Sequence, residues 1–365
     1  MTSSAASAPL ALSVLDLVPV RTNQTTSDAI AASVTLARTA DRLGFRRYWL
    51  AEHHNMPAVA STNPAVLIGI LAANTERIRV GSGGVMLPNH APLVVAEQFA
   101  ILEAAYPGRI DLGIGRAPGS DPVITSLLRS TGTTSDVDEF ERNVLDIGAL
   151  MDPTGASLRM RSGQLYSITA TPHAVSVPEL WLLGSSDYSA KLAARLGLPY
   201  VFAHHFSGQG TRGILDLYRT GFTPAAPEGE DSAERGLQHP RTFLTLNVSV
   251  AETAKEAQAA ALPNLQRMAM LMTGSPLLPL STIEEAAATE VTPAQQHIID
   301  GMLERWVIGD PATVARRIRE LAAEFAVDEV MLSVGMSAHA GDPAGATPLR
   351  EGALQMLADE LAPLA

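Results

Sequence analysis

The chain has 365 residues, 46% of them hydrophobic and 18% charged, with 38 acidic against 26 basic side chains and a formal net charge of −12. That composition supplies a large core and lies far from the disordered range, while the acidic balance and the absence of any Lys/Arg run argue against a nucleic-acid or membrane-surface partner. With no cysteine there is no disulfide, thiolate nucleophile or thiolate metal site, and the two lysines, Lys191 and Lys255, both fall in predicted helices, which disfavours Schiff-base chemistry. In chain order, a β-rich run at 10–18 is followed by an alanine-rich helix capped at Ser27 or Asp28 and closed by Gly44. A second strand at 47–51 leads to a helix that Asn63 and Pro64 open. A third strand at 79–81 precedes a helix from Pro92 to Ala105, and further strands are predicted at 110–114, 180–183, 200–203, 242–250 and 328–334.

Eight short strands in β-then-α order predict a closed (β/α)8 TIM barrel, with 1–365 as one domain, rather than an open doubly wound sheet. Three segments, 117–135, 207–240 and 272–300, are rich in Gly, Pro, Ser, Thr and acidic residues and read as excursions, the last two as substrate lids or subunit contacts. Residues 1–9 read as a flexible extension without the basic start or apolar core of a signal peptide. No apolar run is long enough to span a bilayer, so a soluble, cytoplasmic protein is expected.

The unusual polar residues fall after strands, where a barrel converges them on one rim. Glu52, His53 and His54 follow the second strand. Successive residues leaving a strand point in different directions, so one of the two histidines is expected to face the axis. His53 is then a candidate general acid/base, the alternative being a pair that bridges neighbouring loops. Adjacent histidines lack the i, i+4 spacing of a zinc helix, and no metal is expected. Gly83 and Gly84 end the third strand, where they allow either a flat ligand's close approach or a tight turn. Ser185, Ser186 and Ser189 stand at a strand-to-helix junction that suits a phosphate or an ordinary cap. Arg116 is suited to hold that phosphate, or to pair with Asp121. His204 and His205 line a pocket or serve an interface or cap, and the Met268 to Met272 stretch reads as core or pocket wall.

The segments LSVLDLVPV, YWLAEHHNMP, NPAVLIGILAANTERIRVGSGGVMLPNHAPLVVAEQ, YPGRIDLGIGRAPGSDP, WLLGSSDYSAKLAARLGLPYVFAHHF and IGDPATVARRIREL run in that order from residue 10 to about 335. Together they resemble the bacterial luciferase-like flavin monooxygenases, in particular members of undefined substrate. The resemblance implies that His53 is the catalytic base and that Gly83 and Gly84 form a non-prolyl cis peptide beneath the flavin ring. It further implies that Arg116, Ser185, Ser186 and Ser189 hold the FMN phosphate, with Glu52 and Asn63 near the flavin. The implied reaction is oxygenation of a small organic molecule such as an aldehyde or ketone by FMNH2 and O2, with FMNH2 delivered by a separate reductase, in a homodimer. Two other readings stay open on the same fold: a deazaflavin-dependent reductase or dehydrogenase, and a non-catalytic FMN-binding flavoprotein. Two departures weigh on the transfer. The luciferases carry a carboxylate where Ser185 stands, so a backbone contact is the alternative there, and their reactive pocket cysteine is absent.

Overall fold

The structure is a computed structural model and describes residues 10–130, 137–208, 210–224, 237–275 and 277–362. The eight strands expected from the sequence are all present: β1 Ala11–Asp16, β2 Arg47–Leu50, β3 Arg79–Ser82, β4 Ile110–Gly115, β5 Glu179–Gly184, β6 Tyr200–Phe202, β7 Thr242–Val250 and β8 Glu329–Val334. Each pairs in parallel with the next, from β1 to β2 round to β6, and β7 pairs with both β6 and β8. The ring closes where β8 meets β1, with Ala11 opposite Glu329. Closure leaves no barrel strand an unpaired edge and aims every strand's C-terminal end at one mouth.

Period-2 alternation splits each strand between two cores. Tyr48 and Leu50 face outward into the large cluster between strands and helices, whereas Trp49 faces inward with Leu15, Trp181, Val201, Phe243 and Met331. The rings of Trp49, Trp181 and Phe243 meet at centroid separations of 5.5, 5.2 and 5.1 Å, in edge-on and tilted geometry that plugs the lumen. Below this plug, at the strands' N-terminal ends, the barrel has an ionic floor. Arg47 donates to Glu329 at 2.7 Å and to Asp111 at 2.9 Å, with all three side chains no more than 4% exposed. The guanidinium lies 4.7 Å from the Trp181 ring centroid. Ser13 donates to Glu329 at 2.6 Å and Trp49 Nε1 to Asp111 at 2.8 Å, so the buried carboxylates are multiply satisfied.

Helix starts follow from local chemistry. Asn63 caps the helix Pro64–Ala72, with Pro64 in the first turn where its missing N–H costs nothing, and Pro92 opens Pro92–Ala105 in the same way. The first helix, Thr26–Arg42, is capped by Thr25, not by Ser27 or Asp28. Asp28 is instead the reciprocal partner, accepting from the Thr25 backbone while Thr25 accepts from the Asp28 N–H.

Not expected from the sequence are an antiparallel hairpin, Ala156–Arg159 with Leu165–Ile168, a short strand, Val307–Gly309, that extends β7 in parallel, a two-residue strand, Val85–Met86, beside β4, and the helix Phe140–Met151. The excursions contain helices Pro122–Arg129, His204–Ser207, Thr211–Thr220, Ile283–Ala288 and Pro293–Leu303. Residues 1–9 and parts of all three excursions lie outside the described residues. Among the described residues no helix is long and apolar enough to cross a membrane.

The floor makes a stability prediction. Arg47→Met leaves Asp111 and Glu329 buried with their principal cation removed and is expected to cost about 3–5 kcal/mol in urea unfolding. Arg46, which meets the same Glu329 from a half-exposed position, is expected to cost less than about 1 kcal/mol when changed to Ala.

Candidate active site

Above the aromatic plug, the inward series of β2, Arg47 and Trp49, carries on through Ala51 to His53. β6 ends at Phe202, and His205 lies in the short helix His204–Ser207 that follows it at the same mouth. The two histidines lie close enough for the charge of His53 to act on His205. In both, Nδ1 is buried without a hydrogen-bond partner. Burial pushes His53 below the ordinary histidine range, and the charge of Arg267 pushes it further than Glu52 can restore. His205 is driven down to about 4 by burial, with His204 and His53 adding repulsion. Both rings are therefore neutral at pH 7, each able to accept or donate one proton.

His54 turns away, as one of the pair was expected to, and is tied to Glu52. The fully buried Glu52 Oε1 receives His54 Nε2 at 2.7 Å and His90 Nε2 at 2.8 Å, while Oε2 receives the Met86 N–H at 2.9 Å. Burial opposes ionisation of Glu52, but these donors outweigh it and hold the carboxylate at about 2. Glu52 thereby clamps the loop after β2 to the loop after β3. His54 N–H also donates to Gly119 O and Asn89 Nδ2 to Pro118 O, which adds the loop after β4 to the same assembly. Sequence reasoning had not singled out His90, because nothing in its local pattern reveals a partner 38 residues away.

The peptide between Gly83 and Gly84 is cis. The backbone here is packed to contact: a Cβ on Gly84 would come within 2.3 Å of Leu183 Cδ1 and 2.8 Å of Gly113 O, and one on Gly83 within 2.9 Å of Leu15 Cδ1. At Gly84 the Gly113 backbone excludes a side chain, at Gly83 one would require Leu15 to shift, and the two leave a stretch of backbone without side chains on the rim.

At the next two strand ends, the helix Asp187–Arg195 starts directly after β5 with Ser186 at its cap position. Ser186 makes no capping hydrogen bond, and Ser185 and Ser186 are exposed with their hydroxyls outward, while the first helical N–H groups, of Asp187 and Tyr188, are met by the Asp187 carboxylate. Ser189 is buried, its side chain packed where a Cβ on Gly184 would stand. Arg116, leaving β4, lies with its guanidinium 4.1 Å from the ring centroid of Tyr188, in the first turn of this helix. Asp121 is not its partner: that carboxylate caps Pro122–Arg129 by accepting from Val123 and Ile124 N–H. Asp187 is the one unfavourable charge at this helix start, and Lys191 pairs with it.

The other candidates separate. Asn63 Oδ1 accepts from Val66 N–H, which makes it a cap on an exposed helix start. His204 bonds Thr211 Oγ1 at 2.7 Å and packs against Phe325, a structural role, while only its neighbour His205 enters the pocket. Met268 packs with Ala261, Leu265, Ala269, Ile299 and Met302, core as expected. Sequence reasoning passed over Arg267, on the helix Ala254–Met272. Its signal was legible as the single charge between residues 257 and 272.

Comparison with known proteins places the family and the fold. The luciferase-like monooxygenase family profile matches residues 11–329. A luciferase-like monooxygenase of Escherichia coli K12 is 38% identical over 327 residues, covering 89% of this chain and 91% of its own. An N-acetyl-S-alkylcysteine monooxygenase of Bacillus subtilis is 36% identical over 60% of this chain and 64% of its own. The crystal structure of apo-MsnO8 superposes with a TM-score of 0.81 at 34% identity, over 97% of this chain and all of that one. Two more distant structures share the fold. The oxygenating constituent of 3,6-diketocamphane monooxygenase from Pseudomonas putida, in complex with FMN, has a TM-score of 0.65 at 17% identity over 97% of this chain and 98% of that one. An F420-dependent secondary alcohol dehydrogenase has a TM-score of 0.63 at 15% identity over 96% and 99%. The chain belongs to the luciferase-like monooxygenase family.

Proposed function

We propose that this chain is the oxygenating component of a two-component, FMN-dependent monooxygenase acting on a small organic substrate, with reduced FMN supplied by a separate reductase. The observation that carries the reading is the junction after β4 and β5. There Arg116 stands beside a helix start bearing two outward serine hydroxyls, one strand from a side-chain-free stretch of backbone at Gly83 and Gly84. A phosphate fits the first feature, by charge, helix dipole and hydroxyl donors, and a flat ring fits the second, where no side chain stands. FMN carries both in one molecule, and in its reduced form it supplies the electrons that activate O2.

The protein's own groups then have defined parts. Ser185, Ser186 and Arg116 anchor the phosphate. Glu52, through His54, His90 and Met86, fixes the loops that frame the ring. The aromatic plug excludes water from below. His53, neutral and with its Nδ1 unspent, takes or returns the proton at the substrate. Relatives named as monooxygenases support oxygen insertion. The deazaflavin-dependent reading draws on the F420-dependent neighbour of the same fold, and a homodimer remains part of the proposal.

Three results test this reading. FMN titrated by fluorescence is expected to bind the native protein and to bind Arg116→Gln about 10- to 100-fold more weakly, the loss of one charge-assisted contact. Reduced FMN and reduced deazaflavin coenzyme, titrated anaerobically, are expected to separate in favour of FMN; preference for the deazaflavin sinks the oxygenase reading. His53→Gln is expected to lower turnover about 100-fold or more with FMN affinity kept, which a non-catalytic flavoprotein would not show. Because burial lowers the His53 pKa, the basic form is lost only as pH falls through a value below 6.5. The acid limb of kcat/KM is expected there and is expected to vanish in His53→Gln.

A further inference from the structure

Arginines with buried guanidinium atoms have different fates here: Arg21 donates to the carbonyls of Pro343 and Ala346, Arg47 and Arg350 meet carboxylates, and Arg267, partly buried as a residue, meets neither. Arg47 sits between Asp111 and Glu329, and Arg350 donates to Asp16 at 2.8 Å; burial opposes their charge, but the carboxylates more than restore it. Arg267 has no such partner. Its Nη2 donates to Asn264 Oδ1 on its own helix at 2.7 Å, while Nε and Nη1 are buried with nothing to donate to, and no carboxylate acts on its charge. Burial alone lowers it to about 10, so it remains a cation at pH 7. Among the described residues it is the one side chain with two such orphaned atoms. A desolvated charge without a counter-ion is costly and persists where a ligand completes it.

Its position indicates what that ligand is near. The charge of Arg267 acts on His53, and His53 acts on His205. The segments that follow β2, β6 and β7 thus gather one guanidinium and two imidazoles, each with an orphaned nitrogen. The one carboxylate acting on His53 is that of Glu52, already spent on His54, His90 and the Met86 N–H. The phosphate anchor lies at β4 and β5, on separate strands, with its own arginine.

We propose that Arg267, with His53 and His205, forms an anion subsite that receives a carboxylate of the substrate and sets the rest of that molecule against His53. The proposal names the substrate class for the site described above and rests on that site's being the reaction pocket. Arg267 donates through Nε and Nη1, and the neutral imidazoles add N–H donors. Specificity is therefore for an acid over its neutral analogue, because an amide leaves the buried guanidinium uncompensated.

The test reads binding without turnover. Hexanoate and hexanamide are titrated calorimetrically into the flavin-free native protein, Arg267→Gln, Arg267→Lys and Arg116→Gln, and FMN into each by fluorescence. The native protein is expected to bind hexanoate at least about tenfold more tightly than hexanamide, and Arg116→Gln to keep that preference. Arg267→Gln is expected to lose it while keeping FMN affinity, and Arg267→Lys to recover part of it. Without ligand, Arg267→Gln is expected to melt at the native temperature or above it, since a costly charge is removed; a loss of folding, with Arg267→Lys equally unfolded, would assign Arg267 a structural role and overturn the proposal. Equal affinity for acid and amide, or a preference retained in Arg267→Gln, also overturns it. If FMN affinity falls in Arg267→Gln as far as in Arg116→Gln, the anion is on the flavin and the substrate assignment fails. Failure of FMN to bind the native protein would fall on the proposed function alone, because the hexanoate comparison is made without flavin.

Discussion

Everything above the barrel floor depends on one buried guanidinium. Arg47 neutralises Asp111 and Glu329 inside a ring of eight parallel strands. Without it Asp111 would keep Arg79 and Glu329 would keep the half-exposed Arg46, but the cation that joins the two carboxylates inside the ring would be gone. With it, the floor becomes a seat for Trp49, Trp181 and Phe243, whose rings fill the lumen in edge-on and tilted contact. A barrel plugged from below is open only at its C-terminal mouth. Every side chain that leaves a strand inward past the plug is thereby committed to the pocket.

The histidines show how that geometry assigns chemistry. The same residue type, on neighbouring positions, takes three roles according to what it meets. His54 and His90 meet Glu52 and become ties between loops. His204 meets Thr211 and Phe325 and becomes packing. His53 and His205 are buried at Nδ1 without a hydrogen-bond partner, and burial first, then neighbouring positive groups, lowers both, so they stay neutral with nitrogens unspent. The arginines divide on the same principle. Carboxylates make Arg47 and Arg350 structural, the ring of Tyr188 holds Arg116 at a helix start, and Arg267 is left with a ligand's place to fill.

Much of the fold was legible because it is written in local chemistry. The strands are short apolar runs ended by glycine or polar residues, and Asn63 with Pro64, and Pro92, announce helix starts that need no tertiary information. Thr25 was missed as a cap because Thr25, Ser27 and Asp28 all have the chemistry, and only the backbone conformation at Thr25 selects among them. The hairpin at 156–168 was missed because most of its residues are exposed and its pattern has no buried face to alternate against. The strand Val307–Gly309 is too short to carry a period and exists because β7 offers it a partner.

The sequence by itself determined that there would be eight strands, where each would end, and that polar residues would gather at those ends. It carried as well the two consecutive glycines that leave backbone bare at the rim. The tertiary structure alone decided which of those polar residues share a pocket. His53, His205 and Arg267 follow three different strands, with more than sixty residues between even the nearest two in sequence, and Glu52 meets His90 across 38. Pairings of that kind leave no local periodicity, since they are set by where a closed barrel brings its strand ends and not by any neighbour in the chain.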